Sequence, residues 1–231
     1  MPVTWPLVTL GATGEDVKSI QYLLTAHGHP VAVDGTFGPL TRAAVEAFQT
    51  SRGLTADGEV GPQTWPELIV QVSQGSDGDA VRAVQSQLHS RGSGTVIAVD
   101  GIFGPMTAGA VRGFQELLGL TVDGIVGPQT WSLLVDGYLT APDAQTAAQR
   151  TFAAWSEHNE AAARKDATPG AVAQLFAQTF SAADGWSFEG CQGAAGHIYC
   201  SWRRSNGKEL RIGVEDAVVA PFYAADIVEF T

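Results

Sequence analysis

The chain has 231 residues, 45% of them apolar and 16% charged, with 27 Gly and 11 Pro. That suits two or three small, turn-rich globular domains and excludes a disordered chain. The formal charge of −11 is spread along the chain, with 13 acids and 6 bases in residues 1–141 and 11 acids and 7 bases in residues 142–231. Neither part offers a basic stripe for nucleic acid or anionic lipid. No apolar run nears the roughly 18 residues of a membrane helix. The opening MPVTWPLVTLGATG lacks the basic start, apolar stretch and cleavage site of a signal peptide.

Self-comparison organises the first part. Residues 8–28 match 72–92 at an offset of 64, and 32–68 match 98–134 at an offset of 66, with 24 of 37 positions identical in the second stretch. The change of offset falls between Gly92 and Ala98, where a loop insertion is expected. Inside each copy a shorter phrase echoes: DGTFGPLT (34–41), DGEVGPQT (57–64), DGIFGPMT (100–107) and DGIVGPQT (123–130). Asp bonds backbone N–H groups two residues on, Gly takes positive φ, and Pro fits the first position of a helix. Four such phrases predict four helix entries.

The helical period is legible between them. In the first copy Val17, Ile20 and Leu24 share a face, then Val45 and Phe48, then Trp65 and Leu68. The second copy repeats this with Val81, Val84 and Leu88; Val111 and Phe114; Trp131 and Leu134. Each copy is a three-helix unit of about 60 residues, near the lower limit for an independent core. The order of a first helix, DGxFGPxT, AVxxFQ, GLxxDGxVGPQTW and a final Leu resembles the peptidoglycan-binding domain family. The resemblance implies noncovalent adhesion to bacterial cell wall through repeats at 1–69 and 70–138.

Most repeated positions read as structural. Val45, Phe48, Val111 and Phe114 have core spacing, and Gln49 and Gln115 are placed to bond a turn. Trp65 and Trp131 either close a core or present a face to sugar. The candidate ligand rim is Asp34, Asp57, Asp100 and Asp123 in the Asp-Gly turns, with Phe37 and Phe103 beside them; Trp65 and Trp131 complete the set. Such a rim suits amide and hydroxyl groups of a stem peptide or amino sugar.

After Ala141-Pro142-Asp143, read as a hinge, the pattern changes. Residues 143–165 are predicted as one helix capped at Asp143, and a second opens at Thr168-Pro169 and carries Val172, Leu175, Phe176 and Phe180. Alternation then predicts strands at 186–191, 197–204, 209–214 and 225–230, with Ser205-Asn206-Gly207-Lys208 as a hairpin turn. The fold class is therefore two all-α three-helix modules followed by a small α+β domain at 142–231, two helices then a four-stranded antiparallel sheet. Cys191 and Cys200 flank a turn-like loop, where a disulfide is the expectation and two buried thiols the alternative.

The residues offer little catalytic chemistry. Of the five His, only His27 and His29 lie close, opposite Arg91 and Ser93 of the second copy, so no metal site is expected. Gly190-Cys191 resembles the Ser-x-Gly-Cys of L,D-transpeptidases, but that family places a His well before the Cys and a basic residue soon after it, where this chain has Gln192. Carboxylates such as Glu157, Glu160 and Glu189 are available for glycosidase chemistry without any being singled out. The expectation is a chain that is not an enzyme, needs no cofactor, and binds peptidoglycan, by glycan or stem peptide, outside the cell or in the wall. A protein partner for the C-terminal domain, a phage-tail or injection-particle role, and a wall-processing activity in residues 142–231 are the alternatives.

Overall fold

The computed structural model describes residues 3–91, 97–141, 143–194, 196–215 and 222–231. The expected insertion at 92–98, Ser93 and Pro142 of the expected hinge lie wholly or mostly outside these residues. Nine α-helices precede a four-stranded antiparallel sheet among the described residues.

The first repeat holds α1 (Glu15–Ala26), α2 (Pro39–Ser51) and α3 (Trp65–Leu68); the second holds α4 (Asp79–Arg91), α5 (Pro105–Leu117) and α6 (Pro128–Val135). Pro39, Pro105 and Pro128 each open a helix, where the missing N–H costs nothing. The second phrase behaves differently: after Pro62 the chain makes a turn, with Gly61 O accepting from Thr64 and Trp65, before α3 begins. Within the two repeats all the apolar positions assigned to helix faces are buried, Val17, Ile20, Phe48 and Trp65 among them, whereas Phe176 is half-buried and Phe180 half-buried beyond the end of its expected helix. Two antiparallel bridges close each repeat, Val8 to Val60 and Thr13 to Thr36 in the first, Val72 to Val126 and Asp77 to Ile102 in the second.

A polar seam joins the repeats. Gln87 Nε2 on α4 donates to Asp16 Oδ1 at 2.8 Å and to Ser19 Oγ at 2.9 Å on α1, and Ser86 Oγ donates to Glu15 Oε2 at 2.6 Å. Ser19, Ser86 and Gln87 are all buried.

Chain contacts divide the molecule into two compact units: Met1–Ser90 with Val96–Arg112 and Asp123–Gly137, and Arg91–Thr95 with Gly113–Val122 and Tyr138–Thr231. The second unit therefore includes the end of α5, where Phe114 meets Phe222 edge-on at 5.6 Å.

The C-terminal region contains α7 (Ala144–Ser156), α8 (Glu160–Asp166), α9 (Pro169–Phe176), a 3-10 turn (Ala182–Asp184), and β1 (Ser187–Ala194), β2 (His197–Arg203), β3 (Glu209–Glu215) and β4 (Ala225–Phe230), paired in that order. The single helix expected over 143–165 is two. His158 turns left-handed at φ 56°, and Asn159 starts a new helix by accepting the Ala162 N–H at 3.0 Å. Asp143 and Thr168 cap α7 and α9 in the same way. One sheet face, with Cys200, Trp202, Leu210, Ile212 and Val214, packs into a core with Ala148, Trp155, Val172 and Leu175. Phe152 stacks on Trp202 at 4.5 Å. Between β2 and β3 the expected turn forms, with Gly207 at φ 89° and Arg204 N–H donating to Lys208 O at 2.7 Å.

Candidate functional site

The Asp-Gly turns of the repeats share one construction. In the first, Asp34 Oδ1 accepts from the Thr36 N–H and from Gln21 Nε2, both at 2.8 Å. Gln21 Nε2 also reaches Thr36 O and Thr41 Oγ1, while its Oε1 accepts the buried Gly35 N–H at 3.0 Å. In the second, Gln49 does the same work: Nε2 to Asp57 Oδ1 at 2.7 Å, Glu59 O at 2.9 Å and Thr64 Oγ1 at 3.0 Å, with Oε1 accepting from Gly58 at 3.0 Å. Gln85 repeats it on Asp100, Ile102, Thr107 and Gly101. At the fourth turn Asp123 Oδ1 accepts the Ile125 N–H at 2.9 Å and Thr130 Oγ1 donates to Ile125 O. A side-chain amide buried in each repeat thus holds an Asp-Gly turn and the Thr of the following GPxT as one piece.

These bonds act on the carboxyls. Asp34 is held below the usual carboxylate range first by Gln21 and then by the Thr36 amide; for Asp57 and Asp100 the turn amide comes first and the glutamine second. The turns therefore keep an ionised carboxylate at the surface, one oxygen spent on the fold.

The aromatic members of the expected rim are displaced from it. Phe37, Phe103, Trp65 and Trp131 are fully buried, so none offers a ring face to a ligand. The reason is backbone pairing. Phe37 donates to Ala12 O and accepts from Gly11, and Phe103 does likewise with Ser76 and Gly75, which draws each ring under the turn. Each indole N–H is spent on a carbonyl at 2.9 Å, Trp65 on Pro6 and Trp131 on Val70.

The exposed apolar residues beside the turns are others. Leu40 is 81% exposed and Met106, its equivalent at the offset of 66, is 66% exposed. At the second turn Leu7, Leu54, Asp57, Glu59, Pro62 and Gln63 line a groove of about 380 Å³, the size range of small-ligand sites. His27 serves the fold: Nε2 lies 2.9 Å from Leu68 O, Nδ1 2.9 Å from Arg52, and burial lowers its pKa.

In the C-terminal region Cys191 and Cys200 stand opposite each other in register and are joined by a disulfide, Cα to Cα 4.0 Å. His197 Nε2 is 2.9 Å from Asp226 Oδ2, a pairing across β3 set up by a bulge that leaves Asp226 outside the ladder.

Comparison with known proteins meets this geometry in the repeats. A family model described as "Putative peptidoglycan binding domain" matches residues 13–68 and 77–134. These two segments are peptidoglycan-binding repeats. Residues beyond 134 match no family model. A zinc D-Ala-D-Ala carboxypeptidase of Streptomyces albus G is 36% identical over 116 residues, 50% of this chain and 43% of its own length. A probable N-acetylmuramoyl-L-alanine amidase of Bacillus licheniformis is 33% identical over 149 residues, 52% of this chain and 42% of its own. The solved peptidoglycan-binding protein from Clostridioides difficile in complex with glutamine hydroxamate is 41% identical, covering 29% of this chain and 42% of that one at a TM-score of 0.28.

The chain thus spans less than half the length of these two curated relatives. Their names overturn the expectation that it is not an enzyme: a carboxypeptidase and an amidase stand among its relatives, which places this chain as a possible enzyme. No described helix is long and apolar enough to cross a membrane, and the repeats associate the chain with the cell wall.

Proposed function

We propose that the tandem repeats, 1–69 and 70–138, attach the chain to peptidoglycan and so hold residues 142–231 at the wall. The observation that carries this is repetition on the surface. Both copies set an ionised Asp-Gly turn, Asp34 or Asp100, ahead of a large exposed apolar side chain, Leu40 or Met106. A single exposed apolar side chain is ordinary on a protein surface. Its recurrence at the same place beside an ionised turn in both copies suits a ligand with methyl, amide and hydroxyl groups, which uses both kinds of contact. Asp57 and Asp123 supply the same turn a second time in each copy, and the groove at Leu7, Leu54 and Gln63 adds a recess to the first.

The test is sedimentation of the whole chain with purified sacculi. The double change Leu40→Asp and Met106→Asp leaves the buried core untouched and is expected to weaken binding at least tenfold. A folded double variant that pellets like the parent would move the wall-binding surface away from these turns. The names of the relatives favour a second reading, a wall-processing activity in residues 142–231. Release of soluble fragments, reducing ends or free amino groups from sacculi over time measures it directly.

A further inference from the structure

The outer face of the C-terminal sheet has no role in attachment through the repeats, yet it is built as a site. Strand alternation sends Cys200, Trp202, Leu210 and Ile212 to the core and Tyr199, Ser201, Glu209 and Arg211 to the other face. Register makes that face a grid. Gln192, Tyr199, Gly213 and Ile227 form one row, and Gly190, Ser201, Arg211 and Glu229 the next. Two positions of the grid are glycine, Gly190 and Gly213, each beside a bulge in the pairing. At 213 the near neighbour is Tyr199. A Cβ there would stand 3.0 Å from the Tyr199 ring and 3.0 Å from Ile227. The missing side chain lets the ring lie down across the sheet. Around it is a hollow of about 620 Å³ lined by Gln192, Tyr199, Ser201, Arg211 and Glu229 together with the Gly190 and Gly193 backbone.

The charges select the guest. Arg211 Nε donates to Glu209 Oε1 at 2.9 Å, and Arg203 stands 3.4 Å from Glu209 and 3.9 Å from Glu189. Two arginines, Arg203 and Arg211, stand among three glutamates, Glu189, Glu209 and Glu229, so the hollow carries a slight negative excess that disfavours an anionic guest. What remains is a flat aromatic ring fringed by planar guanidinium, carboxylate and amide groups. Such groups pair two at a time with neighbouring hydroxyls, and a ring face accepts the C–H bonds of a pyranose.

We propose that this face binds a saccharide, an N-acetylamino sugar of the glycan strand, with Tyr199 as the stacking platform and Gln192, Arg211 and Glu229 as its hydrogen-bonding partners. Only the choice of sugar rests on the reading that the chain sits on the wall. The experiment titrates the full chain with a β-1,4-linked N-acetylglucosamine tetramer and follows backbone amide resonances. Saturable shifts at Gln192, Tyr199, Ser201, Arg211 and Glu229 are expected. Tyr199→Ala should weaken binding about tenfold, and Tyr199→Phe, which keeps the ring on Gly213, should retain most of it. Gln192→Ala, at an exposed position, gives an independent loss if Tyr199→Ala disturbs the strand. Shifts confined to the repeats, no shifts at millimolar tetramer, or shifts on the sheet from a stem peptide in place of the sugar would each overturn the proposal. The titration reads residue by residue, so shifts on the sheet and shifts at the Asp-Gly turns test the two readings separately.

Discussion

Replacing Gln49 with Ala tests the construction of the repeats. The amide makes four bonds within 3.0 Å, to Asp57 Oδ1, Glu59 O, Thr64 Oγ1 and the Gly58 N–H. Gln49, Thr64 and Gly58 are buried, so water does not replace what is lost. One orphaned buried N–H costs about 1–3 kcal/mol, and each further hydrogen bond forfeited adds about 1 kcal/mol. The Asp57 bond adds least, because its carboxylate keeps solvent and the Glu59 amide. The sum is on the order of 3 kcal/mol, which for a cooperative unit of about 60–100 residues lowers Tm by about 10 °C or more. Near-ultraviolet circular dichroism reads the transition through Trp65, fully buried in the same repeat. Hydrogen exchange at Gly58 reads it locally, with protection falling as the N–H loses its acceptor. Gln49→Leu keeps the bulk and not the bonds, so it should fall between parent and Ala. If Gln49→Ala melts within about 2 °C of the parent with Gly58 still protected, the Asp-Gly turn holds itself and the clamp argument fails.

Acid should loosen the repeats. The folded-state pKa values of Asp34, Asp57 and Asp100 are depressed, so their stabilisation is complete above the ordinary aspartate value of about 3.9 and is lost as pH falls below it. Melting temperatures from pH 6 down to pH 2.5 should drop along that limb, and less steeply in the Gln49→Ala variant; a flat profile would refute the depression. Opening the Cys191–Cys200 bond should destabilise the C-terminal domain by about 2–3 kcal/mol, as expected for a loop closed over a sequence separation of 9. Mass spectrometry of the unreduced protein checks the linkage first, and an unchanged melt on reduction would show the sheet needs no bridge.

The repeats were legible because four copies of one phrase announce both turn and helix, and chance does not repeat glycine, proline and aspartate in register. Gln49 was read as a turn partner because it directly follows Phe48 in each AVxxFQ. Gln21 and Gln85 were missed because they lie 13 and 15 residues ahead of their aspartates, on another helix. Phe37 and Phe103 look like loop residues by spacing, and only their pairing with the segments at 11–12 and 75–76 shows that the loop folds inward. The break after Ser156 had a signal, Asn159 followed by Glu160, hidden by an apolar stripe running on without Gly or Pro. The sheet face at Tyr199 left almost no trace, since a lone tyrosine opposite a glycine gains meaning only once register is known.

The seam of Gln87 with Asp16 and Ser19 has a consequence for how the wall is gripped. Two weak modules on a loose tether sample many separations, and the gain from the second contact depends on tether length. Here Val70 is bonded to Trp131 and Val72 is bridged to Val126, so the connecting segment is woven into the second repeat. The pair presents its surfaces at a fixed distance and angle, as a ruler does. If the repeats carry the proposed attachment to the wall, a pair held in this way is expected to favour a polymer whose own repeat matches its interval.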